Sequence, residues 1–364
     1  METVTKTITI IFLFLTSYIP SCADTGDIIL PKNFSIDTYA EKLKGPRFMA
    51  LSPDNVVFVT EIRSGHVMAL PDINKDGKTD EYLIKAGRLR YPNGIAFYKN
   101  WLYVGETHQI VRYQYFGYKN DLGKKEVIVP NLPTGGHGTK TILFGKDNKL
   151  YVSIGSSCNA CKEKDKRRAA VMQYNADGSN GRLYAEGLRN SVGIISHPST
   201  GQIWSTDNGT DWLGDDLPPE EINILEDGKH YGWPYCYGKR IPDPNMGNEN
   251  FCRNTMSSTI DLQAHSAALG LRFYNGNQFP KEYHGDLFVA YHGSWNRSTP
   301  TGYKVVRIKT KNNKPVLIED FASGWLKGDK RTGRPVDVLV ANDGSLLISD
   351  DREGKIYRIS YEKL

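Results

Sequence analysis

Short apolar runs alternate with turn residues along nearly the whole chain. One arrangement recurs six times: an apolar run, a turn of Asp, Asn, Gly or Pro, and a second apolar run. The copies start at Phe48, Asn93, Lys140, Val192, Leu269 and Val336. Because short alternating runs bounded by turn residues are typical of half-buried strands, each copy predicts antiparallel β-strands.

The spacing of the copies indicates the architecture. A period of roughly 40–50 residues with several strands in each unit is typical of propeller blades rather than helical repeats. A single small sheet buries one face poorly, so the units must stack around an axis and share their cores. We therefore predict an all-β fold, a six-bladed β-propeller covering residues 23–364. The 35 Gly, 18 Pro and 21 Tyr suit a chain with many turns.

Residues 1–22 differ from the repeats and have the pattern of a signal peptide. Lys6 precedes an apolar stretch, from Ile8 to Ile19, that is too short for a stable membrane span. The segment ending in Cys22 is similar to a bacterial lipobox. Two alternatives therefore stand: lipidation of Cys22, or ordinary cleavage near Ala23. In both cases we expect an exported bacterial protein, either periplasmic or anchored to a membrane by a lipid.

The charge of the chain narrows the range of partners. The formal net charge is +5, and no run of five basic residues occurs. We therefore expect no nucleic-acid partner. A small ligand that carries carboxylates would still find arginines.

Four cysteines follow the signal segment: Cys158, Cys161, Cys236 and Cys252. Haem attachment would need His directly after the second of them, where Lys162 stands, and zinc would need partners at matching spacing. An even number in an oxidising compartment favours two structural disulfides, Cys158–Cys161 and Cys236–Cys252. The second would tie a long loop insertion near residues 236–262, which lacks a strand pattern and which we expect to overhang the rim.

One loop has the side chains of a calcium site. Asp72, Asn74, Asp76 and Asp80 carry oxygen at alternating positions around the turn residue Gly77, as in an EF-type loop. Leu83 stands where such a loop has its bidentate Glu. Two interpretations therefore remain: a structural calcium in a blade hairpin, or a turn without metal.

Propellers place their binding residues in loops at one rim, above the central channel. Polar residues next to the apolar runs belong to different blades but to one end of the fold. They offer an imidazole base, arginines for an anionic ligand and carbonyls for a hard cation. These candidates are His137, Arg189, Asn190, Gly209, Thr210, His265, His292, Arg297 and Arg334. Among the aromatic rings we expect His265 and Trp295 to reach the pocket, whereas Lys140 is predicted to be a strand-edge charge.

Several segments, in this order, resemble a known family: GGHG…ILFGKDNKLYVSIG, GLRNSVGI, DNG…EEINIL…GKHYGWP, HGSWNRS and GRPVDVLVANDGSLLISDD. They are similar to the soluble PQQ-dependent glucose/sorbosone dehydrogenases, and most of all to the sorbosone-dehydrogenase-like branch. The resemblance covers essentially the whole mature chain. It implies a PQQ- and calcium-dependent oxidoreductase that oxidises an aldose or a related sugar, polyol or aldehyde and passes electrons to an unknown acceptor.

The resemblance also implies roles for the cofactor-side residues. His137 stands where the family has its general base, which takes the hydroxyl proton while hydride passes to the quinone. Arg189 and Asn190 match a pair that contacts the cofactor, and Arg334 matches a further cofactor arginine. A guanidinium suits such a ligand because its donors fork onto carboxylate or quinone oxygens.

Two further positions are implied by the same resemblance. The family binds calcium through a pair of backbone carbonyls, which match Gly209 and Thr210, although Pro is common at the second position. The glucose-oxidising branch also has a cofactor lysine in the region that the HGSWNR segment replaces. His292 or Arg297 is expected to supply the missing donor.

Two other functions stand as alternatives. A calcium-dependent sugar lactonase on a similar propeller would need a carboxylate-rich metal site on the axis. A catalytically silent binding module would keep the fold without the chemistry, because function belongs to a site and not to a fold. Binding of PQQ would discriminate between these alternatives and the dehydrogenase.

Overall fold

The structure is a computed structural model that describes residues 27–362. The predicted signal segment, and with it the lipid anchor at Cys22, lies outside the described residues. Within the described range, no helix has both the length and the apolar character needed to cross a membrane.

Six antiparallel blades, one for each sequence repeat, confirm the predicted propeller: five are four-stranded sheets, and the sheet of blade three has a fifth, parallel strand. The chain enters through strand β1 (Phe34–Ala40) and then forms the first three sheets in order. Blade one comprises β2 (Pro46–Leu51), β3 (Val57–Glu61), β4 (His66–Leu70) and β5 (Leu83–Ala86). Blade two comprises β6 (Ile95–Tyr98), β7 (Trp101–Glu106), β8 (Gln109–Gln114) and β9 (Glu126–Val129). Blade three comprises β10 (Lys140–Phe144), β11 (Leu150–Ile154), β12 (Ala170–Tyr174) and β13 (Arg182–Glu186).

The second half of the chain forms the other three blades. Blade four comprises β14 (Ile194–Ser196), β15 (Ile203–Asp207), β16 (Glu220–Leu225) and, after an insertion, β20 (Ile260–Leu262). Blade five comprises β21 (Ala268–Phe273), β22 (Leu287–Tyr291), β23 (Lys304–Lys311) and β24 (Lys314–Ala322), with a short 3₁₀ turn at Lys281–Tyr283. Blade six comprises β27 (Pro335–Val340), β28 (Leu346–Asp350) and β29 (Lys355–Tyr361). The small hairpin β25 (Leu326–Lys327) and β26 (Lys330–Arg331) precedes it.

Both ends of the chain build the last blade. Strand β1 pairs antiparallel with β29, with Phe34 opposite Tyr361, and supplies the fourth strand of blade six. Phe34 also packs edge-on against Phe279 and Phe321 of blade five. This pairing closes the ring and covers the outer edge of β29, which would otherwise be available to other chains.

The predicted insertion lies between β16 and β20. It contains β17 (Lys229–His230), which pairs parallel with β13, the hairpin β18 (Cys236–Tyr237) and β19 (Ile241–Pro242), and the short helix α1 (Glu249–Cys252). Its last residues form β20, so the predicted lack of strands is wrong there: three residues suffice to extend the outer edge of blade four. The Cys236–Cys252 disulfide joins the hairpin to the helix, as predicted.

The first strand of every blade lines the central channel, and all six of these strands start at the same end. We call this end the mouth. Glycines allow the blades to approach closely there: a Cβ on Gly94 would lie 2.6 Å from the carbonyl oxygen of Lys140, and one on Gly105 would lie 2.4 Å from it. Residues just before a first strand and just after a second strand therefore meet at the mouth, although they are far apart in sequence.

Candidate active site

A cavity of about 290 Å³ opens at the mouth. It collects side chains from blades one, three, four, five and six. Trp295 and seven of the predicted site residues line it. The seven are His137, Arg189, Asn190, Gly209, His265, His292 and Arg334. The fold therefore brings most of the dispersed polar loop residues into one site.

His137 lies in the loop before β10, and its hydrogen bonds fix the tautomer. Nδ1 lies 2.9 Å from Oγ of Ser156. That hydroxyl donates its own hydrogen to the carbonyl oxygen of Cys158, over 2.7 Å. Ser156 must therefore accept from His137, so the imidazole proton is on Nδ1. Nε2 is left with its lone pair, as a general base requires.

Burial and nearby positive charge keep this imidazole neutral. Burial, followed by the charge of Arg189, lowers the pKa of His137 to about 4. Arg168 donates to the carbonyls of Thr134, Gly135 and Gly155 and so clamps the loop that carries the histidine. His137 is therefore unprotonated at neutral pH and is held in place from two sides.

Lys140 differs from its prediction as a strand-edge charge. It begins β10 but is fully buried, with its Nζ donating to the carbonyl oxygen of Gly138 over 2.8 Å. Burial and the charge of Arg168 lower its pKa to about 7. The prediction is wrong because neighbouring blades cover the start of a first strand; an isolated sheet would expose it.

Arg189 is held by the loop that the Cys158–Cys161 disulfide closes, a pairing that was also predicted. Its Nε donates to the carbonyl of Asn159 over 2.9 Å, and its Nη2 donates to Oδ1 of the same residue over 2.8 Å. Nη2 also pairs with Asp211 over 2.6 Å. The disulfide loop thus orients two groups of the site: it orients the histidine through the carbonyl of Cys158, and it orients the arginine through Asn159.

Three buried carboxylates lie beside Gly209 and Thr210. Glu220 accepts from the backbone N–H of Gly209 over 3.2 Å, and Asp207 accepts from that of Asn190 over 2.7 Å. Burial raises the pKa of Asp207 and of Glu220 to about 7. Burial and the charge of Asp207 raise the pKa of Glu221 to about 8. Thr210 does not line the main cavity but borders a small one beside it, together with the insertion.

The blade-six side of the cavity is cationic. Nε of Arg334 donates to the carbonyl of His292 over 3.2 Å, and Nη2 donates to that of Gly293 over 3.3 Å. Its Nη1 has no protein partner among residues 27–362. An arginine held by backbone carbonyls and not by a carboxylate keeps its full charge for a ligand.

Asp351 links two other groups of this side. One oxygen accepts from Arg47 over 2.7 Å, and the other bonds to Nε2 of His292 over 2.9 Å. Burial alone would raise the pKa of Asp351, but these two partners lower it below its usual range. Burial lowers the pKa of His292 to about 4. A neutral His292 therefore donates Nε2–H to an ionised Asp351.

Some of the predicted site residues have other contacts. Arg297 does not line the cavity; its Nη2 pairs with the exposed Asp216 over 3.2 Å. His292 lines the cavity, but its only N–H is already donated to Asp351. His265 lines the cavity, but its Nε2 contacts the carbonyls of Gly214 and Leu217 at 2.8 and 2.9 Å and so holds that loop.

The predicted calcium loop lies beyond the end of β4, away from the mouth. Its carboxylates bond to backbone N–H groups inside the loop: Asp72 accepts from Gly77 over 3.0 Å, and Asp80 accepts from Ile73 over 2.6 Å. In the described part of the chain, no three carboxylate groups of this loop bring one oxygen each within 4.8 Å of one another. A structural calcium at Asp72, Asn74, Asp76 and Asp80 stays a prediction.

Sequence reasoning missed Arg47, Asp351 and Glu220. Arg47 is the second residue of β2, and Asp351 directly follows β28, so both occupy the two positions in a blade that reach the mouth. A search for charged residues at these positions in every repeat would have found them. Glu220 begins β16, where the sequence looks like an ordinary strand start.

The fold and this cavity define a class of protein: a β-propeller whose cavity holds an imidazole between two charged walls. The cationic wall contains Arg47, His292 and Arg334, and the acidic wall contains Asp207, Glu220 and Glu221. A family model described as TrAA12-like matches residues 28–362. The chain belongs to this family.

Three known proteins illustrate the similarity. An uncharacterized protein of Borreliella burgdorferi is 38% identical, over 98% of this chain and 97% of its own length. A pyrroloquinoline quinone-dependent pyranose dehydrogenase of Coprinopsis cinerea is 25% identical over 65% of this chain, which spans 41% of that dehydrogenase. A calcium structure of a Trichoderma reesei protein of carbohydrate-active enzyme family AA12 superposes with a TM-score of 0.79 at 22% identity, covering 92% of this chain and 97% of the other.

Proposed function

We propose that this protein is a PQQ- and calcium-dependent dehydrogenase that oxidises a hydroxyl group of an aldose or a related sugar. One observation carries the proposal: Nε2 of His137, free to accept a proton, opens on the same cavity as Arg189 and Arg334. The activity printed in the name of the Coprinopsis relative agrees with this combination.

The cationic wall fits a quinone that carries several carboxylates. Nη1 of Arg334 is unused by the protein, and Arg47, His292 and Asn190 line the same space. Arg189 has protein partners on Nε, Nη1 and Nη2, so its contribution is mostly its fixed positive charge. A preorganised charge of this kind stabilises negative charge that develops on a bound oxygen.

The acidic wall fits calcium. Gly209 and Thr210 would offer backbone carbonyl oxygens, which calcium accepts readily. Burial raises the pKa values of Asp207, Glu220 and Glu221, and the charge of Arg189 offsets this only in part for the first two, so their ionised forms need further positive charge nearby. A divalent cation at Gly209 would supply it and would favour their ionised forms.

The chemistry divides between the cofactor and the chain. When bound, PQQ supplies a carbonyl that accepts hydride from the sugar carbon. Nε2 of His137 takes the hydroxyl proton, Ser156 holds the opposite nitrogen, and the clamp of Arg168 fixes the loop. Because the pKa of His137 is about 4, the base is ready for proton transfer throughout the neutral range.

The direct test is reconstitution. Purified protein is titrated with PQQ in the presence of calcium, followed by absorbance, and then assayed for dye reduction with a panel of aldoses. We expect saturable binding and PQQ-dependent turnover, and His137→Ala should lower kcat by about 10²–10⁴-fold, the usual contribution of a general base. His284→Ala, on the surface of blade five, is the matched control. Turnover that survives His137→Ala, or hydrolysis of sugar lactones without PQQ, would contradict the proposal.

The pH dependence gives an independent test. A base with a lowered pKa loses activity only when the pH falls through that pKa, here about 4. We expect kcat/KM to stay level from pH 8 down to about pH 5 and then to fall. A decline centred near pH 6.5, the value of an unperturbed histidine, would mean that His137 is not the base.

We also propose that the protein is exported, as the N-terminal segment indicates. The two disulfides support this location, since such bonds persist mainly in oxidising compartments. Fractionation of cells that express the full chain, with a Cys22→Ala variant to detect a lipid anchor, tests both parts.

A further inference from the structure

Two tryptophans at the mouth differ from the others in the chain. Trp212 is 68% exposed and Trp295 is 61% exposed, whereas Trp101 is half-buried and Trp204, Trp233 and Trp325 are buried. Exposure of so much apolar surface is unfavourable unless a ligand covers it. The two indole rings are 5.0 Å apart and meet edge to face at 89°. We call them the tryptophan pair.

The tryptophan pair continues the candidate active site. Trp295 itself lines the cavity that contains His137 and Arg334, and Trp212 lies next to it on the outer side. The cavity, at about 290 Å³, is at the lower limit for a ligand pocket, and it must hold both the cofactor and the reacting sugar ring. Any further sugar ring of the same substrate would therefore lie outside, over these two tryptophans.

The loops that carry the pair are fastened to each other and to the site. Asp211 accepts from Nδ2 of Asn296 over 3.0 Å with one oxygen and pairs with Arg189 over 2.6 Å with the other. Asp215 accepts from the backbone N–H of Ser298 over 2.9 Å. The rings thus have a fixed position relative to the catalytic groups, which a binding subsite needs.

Trp212 is also held in an unfavourable backbone conformation. Its φ is 72°, in the left-handed region that bulky residues rarely adopt. Such strain costs about 1–3 kcal/mol and occurs mainly where surrounding contacts impose it at functional sites. The neighbouring hydrogen bonds of Asp211 therefore hold the indole on the rim.

We propose that the tryptophan pair is a subsite that stacks a second sugar ring, so that the substrate is an oligosaccharide oxidised at its end. This inference rests on the proposed function, whose pocket takes the reacting ring. One face of a pyranose ring presents C–H groups that pack against an indole, while Asp215 and the 89% exposed side chain of Asp216 can accept from its hydroxyls. The indole faces therefore suit the C–H face of a sugar ring, and the carboxylates suit its hydroxyl groups.

The size of the patch favours a sugar over a protein. One aromatic side chain buries about 150–250 Å². A stable protein interface needs about 800 Å² on each partner. Two indoles surrounded by carboxylates are therefore sufficient for one or two sugar rings and too small for a docked protein or a second copy of the chain.

Substrate length tests the proposal in the PQQ- and calcium-loaded protein. KM is measured for glucose and for α-1,4- and β-1,4-linked glucose trisaccharides, in the wild type and in Trp212→Ala. Loss of one stacking partner should raise the KM for at least one trisaccharide about five- to tenfold more than that for glucose. Trp212→Phe should recover part of this difference. Phe116→Ala, an exposed aromatic on the opposite face at 54% exposure, serves as the control and should leave the ratio unchanged.

Binding without turnover separates this inference from the dehydrogenase proposal. Cofactor-free protein is titrated with each trisaccharide while tryptophan fluorescence is recorded. We expect a saturable change that Trp212→Ala abolishes, even if PQQ were never bound. The subsite is excluded if neither trisaccharide changes the fluorescence, or if Trp212→Ala raises the KM values of glucose and both trisaccharides equally. It is also excluded if the variant alters only self-association or the rate with a protein electron acceptor.

Discussion

Each wall of the cavity contains an Arg–Asp ion pair, but the groups that surround the two pairs differ. On the blade-four wall, Arg189 pairs with Asp211 over 2.6 Å; on the blade-six wall, Arg47 pairs with Asp351 over 2.7 Å. The blade-four arginine is surrounded by acceptors and by further buried carboxylates. On the blade-six wall, a second arginine, Arg334, lies beside the pair and has only backbone carbonyls as partners.

This difference shows that neighbouring groups decide the role of a charged residue. On the acidic wall, carboxylates outnumber cations, and burial raises the pKa values of Asp207, Glu220 and Glu221. That wall is suited to a metal ion. On the cationic wall, Arg47 neutralises the charge of Asp351, so the charge of Arg334 remains for an anionic ligand. This difference between the walls leads to three predictions, given in order of decreasing effect.

The largest effect is expected from the cationic wall. Arg334→Ala removes a charged donor that the protein itself does not satisfy, and should weaken PQQ binding by about 10–100-fold, the value of one charge-assisted hydrogen bond. Arg331→Ala is a matched control, because Arg331 stacks over the same Tyr303 ring at 5.6 Å but is exposed. Titration with PQQ measures both variants. Equal affinities of Arg334→Ala and Arg331→Ala for PQQ would contradict the assignment of Arg334 as the free charge of the cationic wall.

The next effect concerns the stability of the acidic wall without calcium. Carboxylates whose pKa is raised to about 7 in the folded state lose stabilisation as the pH rises from their unfolded values, near 4, to about 7. Calcium-free protein should therefore become less stable between pH 5 and pH 8, on the order of 2 kcal/mol.

Calcium should flatten this dependence, because it favours the ionised carboxylates. Unfolding in urea at several pH values, with and without calcium, provides the measurement, and Glu220→Gln should reduce the slope in the calcium-free state. A slope that calcium leaves unchanged would argue against a metal site on the blade-four wall.

The smallest effect is expected from the loop between the walls. Replacing both Cys158 and Cys161 with Ala frees the loop that orients Ser156 and Asn159, and should lower kcat about five- to tenfold. It should also shift the acid limb of the pH profile, because Nδ1 of His137 loses its fixed partner. Removing the other bridge, Cys236–Cys252, should lower the Tm without moving that limb. A double variant with a wild-type pH profile would mean that the loop does not position the base.

Much of the site was accessible from sequence because a propeller converts position in a repeat into position in space. His137, Asn190 and Arg334 each precede a first strand, and His292 follows a second strand. Once the repeats are recognised, all four must lie at one end. The same rule would have found Arg47 and Asp351, whose flanking strands are evident in the repeats but to which the resemblance to the family assigns no role.

Contacts between blades were not accessible in this way. The burial of Lys140 depends on Gly94 and Gly105 in the preceding blade, and the loss of Arg297 from the site depends on Asp216 in a different loop. Neither contact joins residues at a sequence separation that the repeats would predict. The tryptophan pair is a similar case, since its two members are joined only through loops of blades four and five.

The order of amino acids was enough to predict six blades, two disulfides and the end of the ring at which the polar residues gather. It was enough because strand alternation and turn residues are local features, and each repeat places them at equivalent positions. Three further features required the folded chain: β1 closes blade six, Nε2 of His137 is the free nitrogen, and the cavity has an acidic and a cationic wall. Those features arise from hydrogen bonds and burial between segments distant in sequence, which no local pattern encodes.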